Sequence, residues 1–442
     1  MLDEPLALDA GRFERAARRG SRPLALWSLL FAVYACGTGL HATPGSDLRA
    51  SEAHVLLTAE SLVHDGDFAL RDQYERAAWS SFYRGRLQPT ALEVGGRLIE
   101  PQGFGFPLLV APAYAVGGRI AVELWLAALV ALGFVLAVGL ARRVVPEPWA
   151  TRGVLLVALS PPAVLGATTI AGGGVGATLL AGATALSLRV RDDDGGGRSG
   201  LGAAALLATI PWVAPVAVLP GALIAVALYH WMRRRRRGWS AFAALELVLL
   251  SAIVYTTINR RVFGGLTPWA ASTASHAPTG IGGVGDVTDR WPRLLGAWLD
   301  PQVGVLLFAP VILLAFAACW HVLRLQRARV ARAFPGEIDT RVASGFLVLL
   351  IAAGFATAVI LLPSLDDGVP GEPLLPVLPL LAALVAAGLR RHTRAGFALG
   401  VLGLVLTLWL LVGARLDERT SVSPASGSVP WSVVSEHPAR LR

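Results

Sequence analysis

Ser51-Glu-Ala-His-Val-Leu-Leu-Thr-Ala-Glu-Ser-Leu-Val-His-Asp-Gly-Asp-Phe68 crowds carboxylates and imidazoles behind the first long apolar run of a 442-residue chain. Such groups can take up or deliver protons. With Ser51 as N-cap and Gly66 as a stop, residues 52–64 are predicted to form an amphipathic helix. At about 100° per residue, Val55, Leu56, Ala59, Leu62 and Val63 share one stripe, and His54, Thr58, Ser61 and Asp65 lie opposite. A short helix of this kind lies on the membrane surface or against the outer ends of spans. Glu52 breaks the pattern by pointing along the apolar stripe. A carboxylate facing packed groups is costly unless paired, and that setting suits proton acceptance. The competing reading has Glu52 satisfying the free amides and dipole of the first helical turn. Asp47, in Pro44-Gly-Ser-Asp47, is a second carboxylate near the membrane edge, and by itself it reads as a turn residue.

Other constellations are weaker. His64, Asp65 and Asp67 read as a helix end and turn rather than a metal site. Gly172-Gly-Gly-Val-Gly176 lies between two apolar runs, so it predicts close helix packing or a bend and not a phosphate loop. Gly280–Gly285 is expected to be a flexible outer loop. Trp269, Trp291 and Trp298 fit an interfacial aromatic belt. No zinc spacing or Ser-His-Asp arrangement is present, and no bound metal or cofactor is expected.

The elements that must position these groups follow from composition. The chain is 54% hydrophobic with a mean hydropathy of +0.58, and 16% of it is charged. Soluble proteins carry about 25% charged residues. Leu24–Leu40, Ile120–Ala141, Ala343–Leu362 and Gly396–Ala414 approach or reach the roughly 20 apolar residues that cross a bilayer. All 39 basic residues are arginine. They cluster at the ends of apolar runs, as in Arg233–Arg237, which marks topology rather than a nucleic-acid partner. Cys36 and Cys319 each sit inside an apolar run and suggest no disulfide framework.

The arginines of the first 22 residues hold the N-terminus in the cytoplasm. The alternation then predicts an all-α polytopic membrane protein with about 11 spans, nine to 13 at the limits. Residues 1–23 form an Arg-rich cytoplasmic segment, 24–414 the transmembrane body and 415–442 a polar tail. A first outer loop spans 41–103 and a second about 264–302. Phe104–Gly118, broken by Pro107 and Pro112, reads as re-entrant or interfacial, with Ile120–Ala141 as the true span; such backbone must be covered by protein or line a wet cavity.

This layout resembles the GT-C superfamily of polytopic membrane glycosyltransferases. In its pattern the first outer loop opens with an acidic pair, commonly Asp-Glu-x-His-Tyr, on a surface helix; Ser51-Glu-Ala-His-Val55 occupies that place. Gly105-Phe-Pro-Leu-Leu-Val-Ala-Pro-Ala-Tyr114, Leu159-Ser-Pro-Pro162, Ile210-Pro-Trp212, Val262-Phe-Gly264, Gln302–Pro310 and Pro376-Val-Leu-Pro379 are similar to further family runs in order. The resemblance covers roughly residues 25–390. It is similar to the bacterial enzymes that transfer aminoarabinose, mannose or galacturonic acid. The chain departs at Ser51, at Val55 and at Gln102, where the family often has His. Val213-Ala-Pro215 and Gly371-Glu-Pro373 stand where it often has polar or basic residues.

The resemblance implies transfer of a sugar from a polyprenyl-phosphate carrier to a glycan, lipid or protein acceptor at the outer face of a bacterial plasma membrane. The lipid-linked sugar would be the co-substrate. Glu52 is the expected general base, with Asp47 as substitute. His54 would orient the base or contact phosphate, Gln102 would bind substrate, and Arg84, Arg86 and Arg97 would meet the leaving phosphate. Two other classes stay open. The lost polar positions fit a non-catalytic assembly partner. The short, broken segments fit a transporter of lipids or small molecules.

Overall fold

The computed structural model describes residues 23–40, 48–90, 93–94, 96–192, 196–271, 298–299, 304–326, 344–354 and 369–416. Asp47, Trp291, Gly280–Gly285, the N-terminal segment and the polar tail lie outside them.

Helices dominate. In chain order they are α1 (Pro23–Ala35), α2 (Ala50–His64), α3 (Arg71–Glu75), α4 (Gly105–Ala141), α5 (Trp149–Ala158), α6 (Pro161–Gly166), α7 (Gly172–Arg191), α8 (Gly197–Val213), α9 (Val218–Arg234), α10 (Gly238–Phe263), α11 (Val305–Phe308), α12 (Leu313–Gln326), α13 (Ser344–Gly354), α14 (Leu378–Arg391) and α15 (Thr393–Leu416). A two-residue hairpin, β1 (Glu93–Val94) against β2 (Arg97–Leu98), pairs Glu93 with Leu98 in the loop region between α3 and α4. Among the described residues, six helical segments are long and apolar enough to cross a bilayer, and four shorter apolar ones accompany them. This is a multi-pass membrane protein.

The segment around residues 104–118 is set off from the next span where the sequence predicts: α4 runs from Gly105 to Ala141, but non-helical dihedrals at Gly117 and Gly118 kink it into two helical stretches. Pro107 falls in the first turn of the helix, where its missing amide costs little, whereas Pro112 lies inside the helix, as membrane helices tolerate. The break sits at the glycine pair. Two other apolar stretches are also divided: the helix breaks at Ser160 between α5 and α6, and at Ala309 and Pro310 between α11 and α12.

Helix α14 is the hub: most of its residues are buried, and it packs on α4, α5 and α12. Small residues let backbones approach, as membrane packing without a hydrophobic driving force requires. A Cβ on Gly153 of α5 would strike the backbone of Ala386 in α14, and one on Gly172 would strike the carbonyl of Val213. The glycine run at the start of α7 is therefore a packing surface. Helix α10 is the opposite case. Phe242, Leu250 and Ile253 are exposed on an apolar helix, the pattern of a lipid-facing element.

Helix α2 does not lie free on a surface. It begins at Ala50 with Arg49 as N-cap, two residues earlier than a Ser51 cap predicts, and Gly66 stops it with φ +74°. Its apolar stripe packs on α4 and on Ile170, Val175 and Val213. Its expected polar face is buried too: His54, Thr58 and Ser61 are all closed off from solvent. The cover is the loop that follows, where Leu70 and Leu87 join Ala53 and Leu57 in a small separate core flanked by Tyr74 and Trp79.

Candidate functional site

The N-terminus of α2 carries a buried ionic bridge. Glu52 reaches back one turn so that the Arg49 amide donates to its Oε2 at 2.9 Å, the glutamate half of a capping box. The Arg49 Nη2 donates to Glu52 Oε1 at 3.3 Å, and the Ile170 amide, from the α6–α7 connection, donates to the same oxygen at 3.0 Å. Both readings of Glu52 therefore meet: it serves the first turn and it faces packed protein. The other arm of Arg49 donates from Nη1 to Glu372 Oε2 at 2.8 Å. The Val369 amide donates to that oxygen at 3.1 Å. Burial works against the Arg49 charge, but the Glu372 and Glu52 carboxylates outweigh it and hold the guanidinium well above its ordinary range. These three side chains sum to one negative charge.

Three parts of the chain thus converge: the entry to α2, the entry to α7 and the turn before α14. Gly371 makes that turn with φ +73°, and a Cβ there would press on Pro162. Gln102 adds a fourth strand of contact by donating from Nε2 to the Ser51 carbonyl at 2.7 Å. It clasps the helix rather than opening toward a ligand through that nitrogen.

A second polar network lies on the other side of α2. The Tyr74 hydroxyl donates to Glu100 Oε1 at 2.6 Å, and His54 Nδ1 sits 2.9 Å from the same hydroxyl oxygen. Because the hydroxyl proton is committed to Glu100, His54 must donate from Nδ1, which leaves Nε2 as an acceptor. That nitrogen is buried with no hydrogen-bond partner. Thr90 donates to Glu100 through both its amide and its hydroxyl. Burial pushes the His54 imidazole below its usual value, against the pull of Glu100. Burial and the Glu100 charge push the Tyr74 hydroxyl well up. His54 faces the loop core and Glu52 faces α7, so His54 does not orient that carboxylate; residues two apart on a helix point to opposite sides.

Arg84, Arg86 and Arg97 are exposed on the loop and take no part in either network. Two groups that the sequence did not single out belong to the region. Glu372 is one. The other is the buried Glu123 of α4, which pairs with Arg119 one turn away and accepts from the Gly39 amide at 2.7 Å. Among the described residues no group of three or more metal-ligating side chains converges.

No family model matches the sequence. A Streptomyces coelicolor protein described as a putative glycosyltransferase is 32% identical over 240 residues, covering 52% of this chain and 54% of the relative. The chain thus spans about half the length of the curated relative it matches. The crystal structure of ArnT from Cupriavidus metallidurans bound to undecaprenyl phosphate superposes with a TM-score of 0.50 at 14% identity, over 92% of this chain and 74% of that one. The chain has a GT-C-like fold. The likeness extends over nearly the whole length of this chain, and the ionic bridge sits where the loop region around α2 meets the helical body.

Proposed function

We propose that this protein is a membrane glycosyltransferase that moves a sugar from a polyprenyl-phosphate carrier to a cell-envelope acceptor at the outer face. The observation that carries the reading is the buried Glu52–Arg49–Glu372 bridge at the rim of a GT-C-like helical body. A cluster with surplus negative charge is suited to receive the proton of an acceptor hydroxyl rather than to cradle a phosphate. The undecaprenyl phosphate bound to ArnT supports a carrier of that class. The first loop then faces the outside of a bacterial plasma membrane and the N-terminus the cytoplasm. The donor lipid is the co-substrate, and the mechanism calls on no other cofactor.

The decisive experiment incubates purified protein in lipid with a panel of polyprenyl-phosphate sugars and follows release of carrier phosphate. Release with one donor class is expected. Absence of release with every donor overturns the reading in favour of a non-catalytic assembly partner. One observation favours that alternative: Ser51 and Val55 stand where the family pattern has Asp and Tyr.

A further inference from the structure

We infer that Glu372, not Glu52, is the carboxylate that takes the acceptor proton, and that Glu52 and Arg49 are positioning residues for it. This inference rests on the glycosyltransferase reading above.

The two carboxylates share one guanidinium but are differently placed. Glu52 is engaged on both oxygens, by two amides and by Arg49, and its side chain is 6% exposed. A hydroxyl could reach it only by displacing a backbone amide that has no other acceptor at hand. Glu372 is engaged on Oε2 alone, by Arg49 and the Val369 amide, and its side chain is 20% exposed. Its Oε1 is neither hydrogen-bonded nor sealed in the interior. A base has to come within about 3 Å of the proton it removes, and only Oε1 of Glu372 offers that approach. Its position is also fixed. Glu372 follows Gly371, whose left-handed backbone and contact with Pro162 set the turn, and it lies two residues before the span that begins at Leu374. Arg49 holds the carboxylate from the side opposite its open oxygen, and Glu52 holds Arg49. The oxygen that remains free is the one presented to a ligand.

The step balances as follows. The acceptor oxygen bonds to the anomeric carbon while the bond from that carbon to the carrier phosphate oxygen breaks. The bonding pair leaves with polyprenyl phosphate, and the acceptor proton passes to Glu372 Oε1.

Three variants in lipid, Glu372→Gln, Glu372→Asp and Glu52→Gln, test the assignment with the donor that the wild type uses. Gln keeps an oxygen for Arg49, so Glu372→Gln is expected to fold, to keep its melting temperature and its KM for donor, and to lose about 100-fold or more of kcat. The acidic limb of the wild-type pH profile should vanish in it, and Glu372→Asp should restore part of the rate with the limb. Glu372→Gln turning over within about threefold of wild type overturns the inference while leaving the glycosyltransferase reading intact. A wild type inactive with every donor removes both. A second measurement needs no donor: brief treatment with a hydrophobic carbodiimide followed by mass spectrometry should label Glu372 ahead of Glu52. Preferential labelling of Glu52 overturns the assignment.

Discussion

The Ile170 amide donates to the carboxylate of Glu52 across 118 residues of sequence, at 3.0 Å. It fastens the start of α2 to the connection between α6 and α7. Loss of this acceptor strands a buried amide and leaves Arg49 short of one partner. Glu52→Ala is therefore expected to destabilise the protein by about 3–5 kcal/mol, as for a broken buried ion pair. Glu52→Gln should cost less, since its oxygen can still accept from Ile170. Thermal unfolding in detergent or nanodiscs orders the two; equal melting temperatures for Glu52→Ala and wild type would refute the clamp.

His54 gives a pH dependence of defined sign. Its native imidazole is held below the ordinary value of 6.5, so the unfolded chain binds the extra proton first as pH falls. The stability it contributes is complete above 6.5 and drains away between 6.5 and the lower native value. Tyr74 and Glu100 are the titratable groups that face it, and Glu100 pulls the other way without prevailing. The melting temperature should fall with acidification over this window, and His54→Gln should flatten that part of the curve. An unchanged slope in the variant would show that another group is responsible.

Gly153 and Gly139 offer a paired test of packing. The first has no room for a methyl group because Ala386 of α14 lies against it, whereas the second meets nothing. Gly153→Val should force α5 from the hub helix and lower stability by about 1–3 kcal/mol or more. Gly139→Ala should be neutral or raise stability by about 0.5–1 kcal/mol, because alanine suits a helix interior better. Unfolding midpoints of the two variants in one detergent decide the matter.

The sequence makes some of this plain and conceals the rest for physical reasons. Apolar runs and arginine placement lead to a helical membrane body, and Gly172–Gly176 reads as close packing because no soluble strand precedes it. Glu52 stands out because one residue off a stripe is visible locally. His54 and Ser61 look exposed by the same local rule, yet the segment from Leu70 to Leu87 and Glu100 cover this face, and nothing in α2 itself reports that cover. The Arg49–Glu372 pair spans 323 residues. A contact of that range leaves no periodic trace, so Glu372 reads only as an acid in a turn before an apolar run. The division of α5 from α6 is signalled by Ser160-Pro-Pro162, but the neighbouring apolar residues mask it when spans are judged by hydropathy alone.

Arg49 carries the last prediction. It stands between two carboxylates, and removing it leaves both without their shared cation. Arg49→Met, similar in reach but uncharged, is expected to lose about 3–5 kcal/mol, because the cost is borne by the charges left behind. The deficit should not be a property of methionine at that site. Buried ion pairs and triads can often be replaced by neutral, well-packed side chains without loss. Adding Glu52→Gln and Glu372→Gln to Arg49→Met should therefore recover a large part of the stability, although each glutamine change alone weakens or leaves unchanged the wild type. The sign of that coupling separates an ionic bridge from three independent contacts. If the triple variant is no more stable than Arg49→Met, the three side chains do not act as a unit, and the bridge that joins the entries to α2, α7 and α14 has been misassigned.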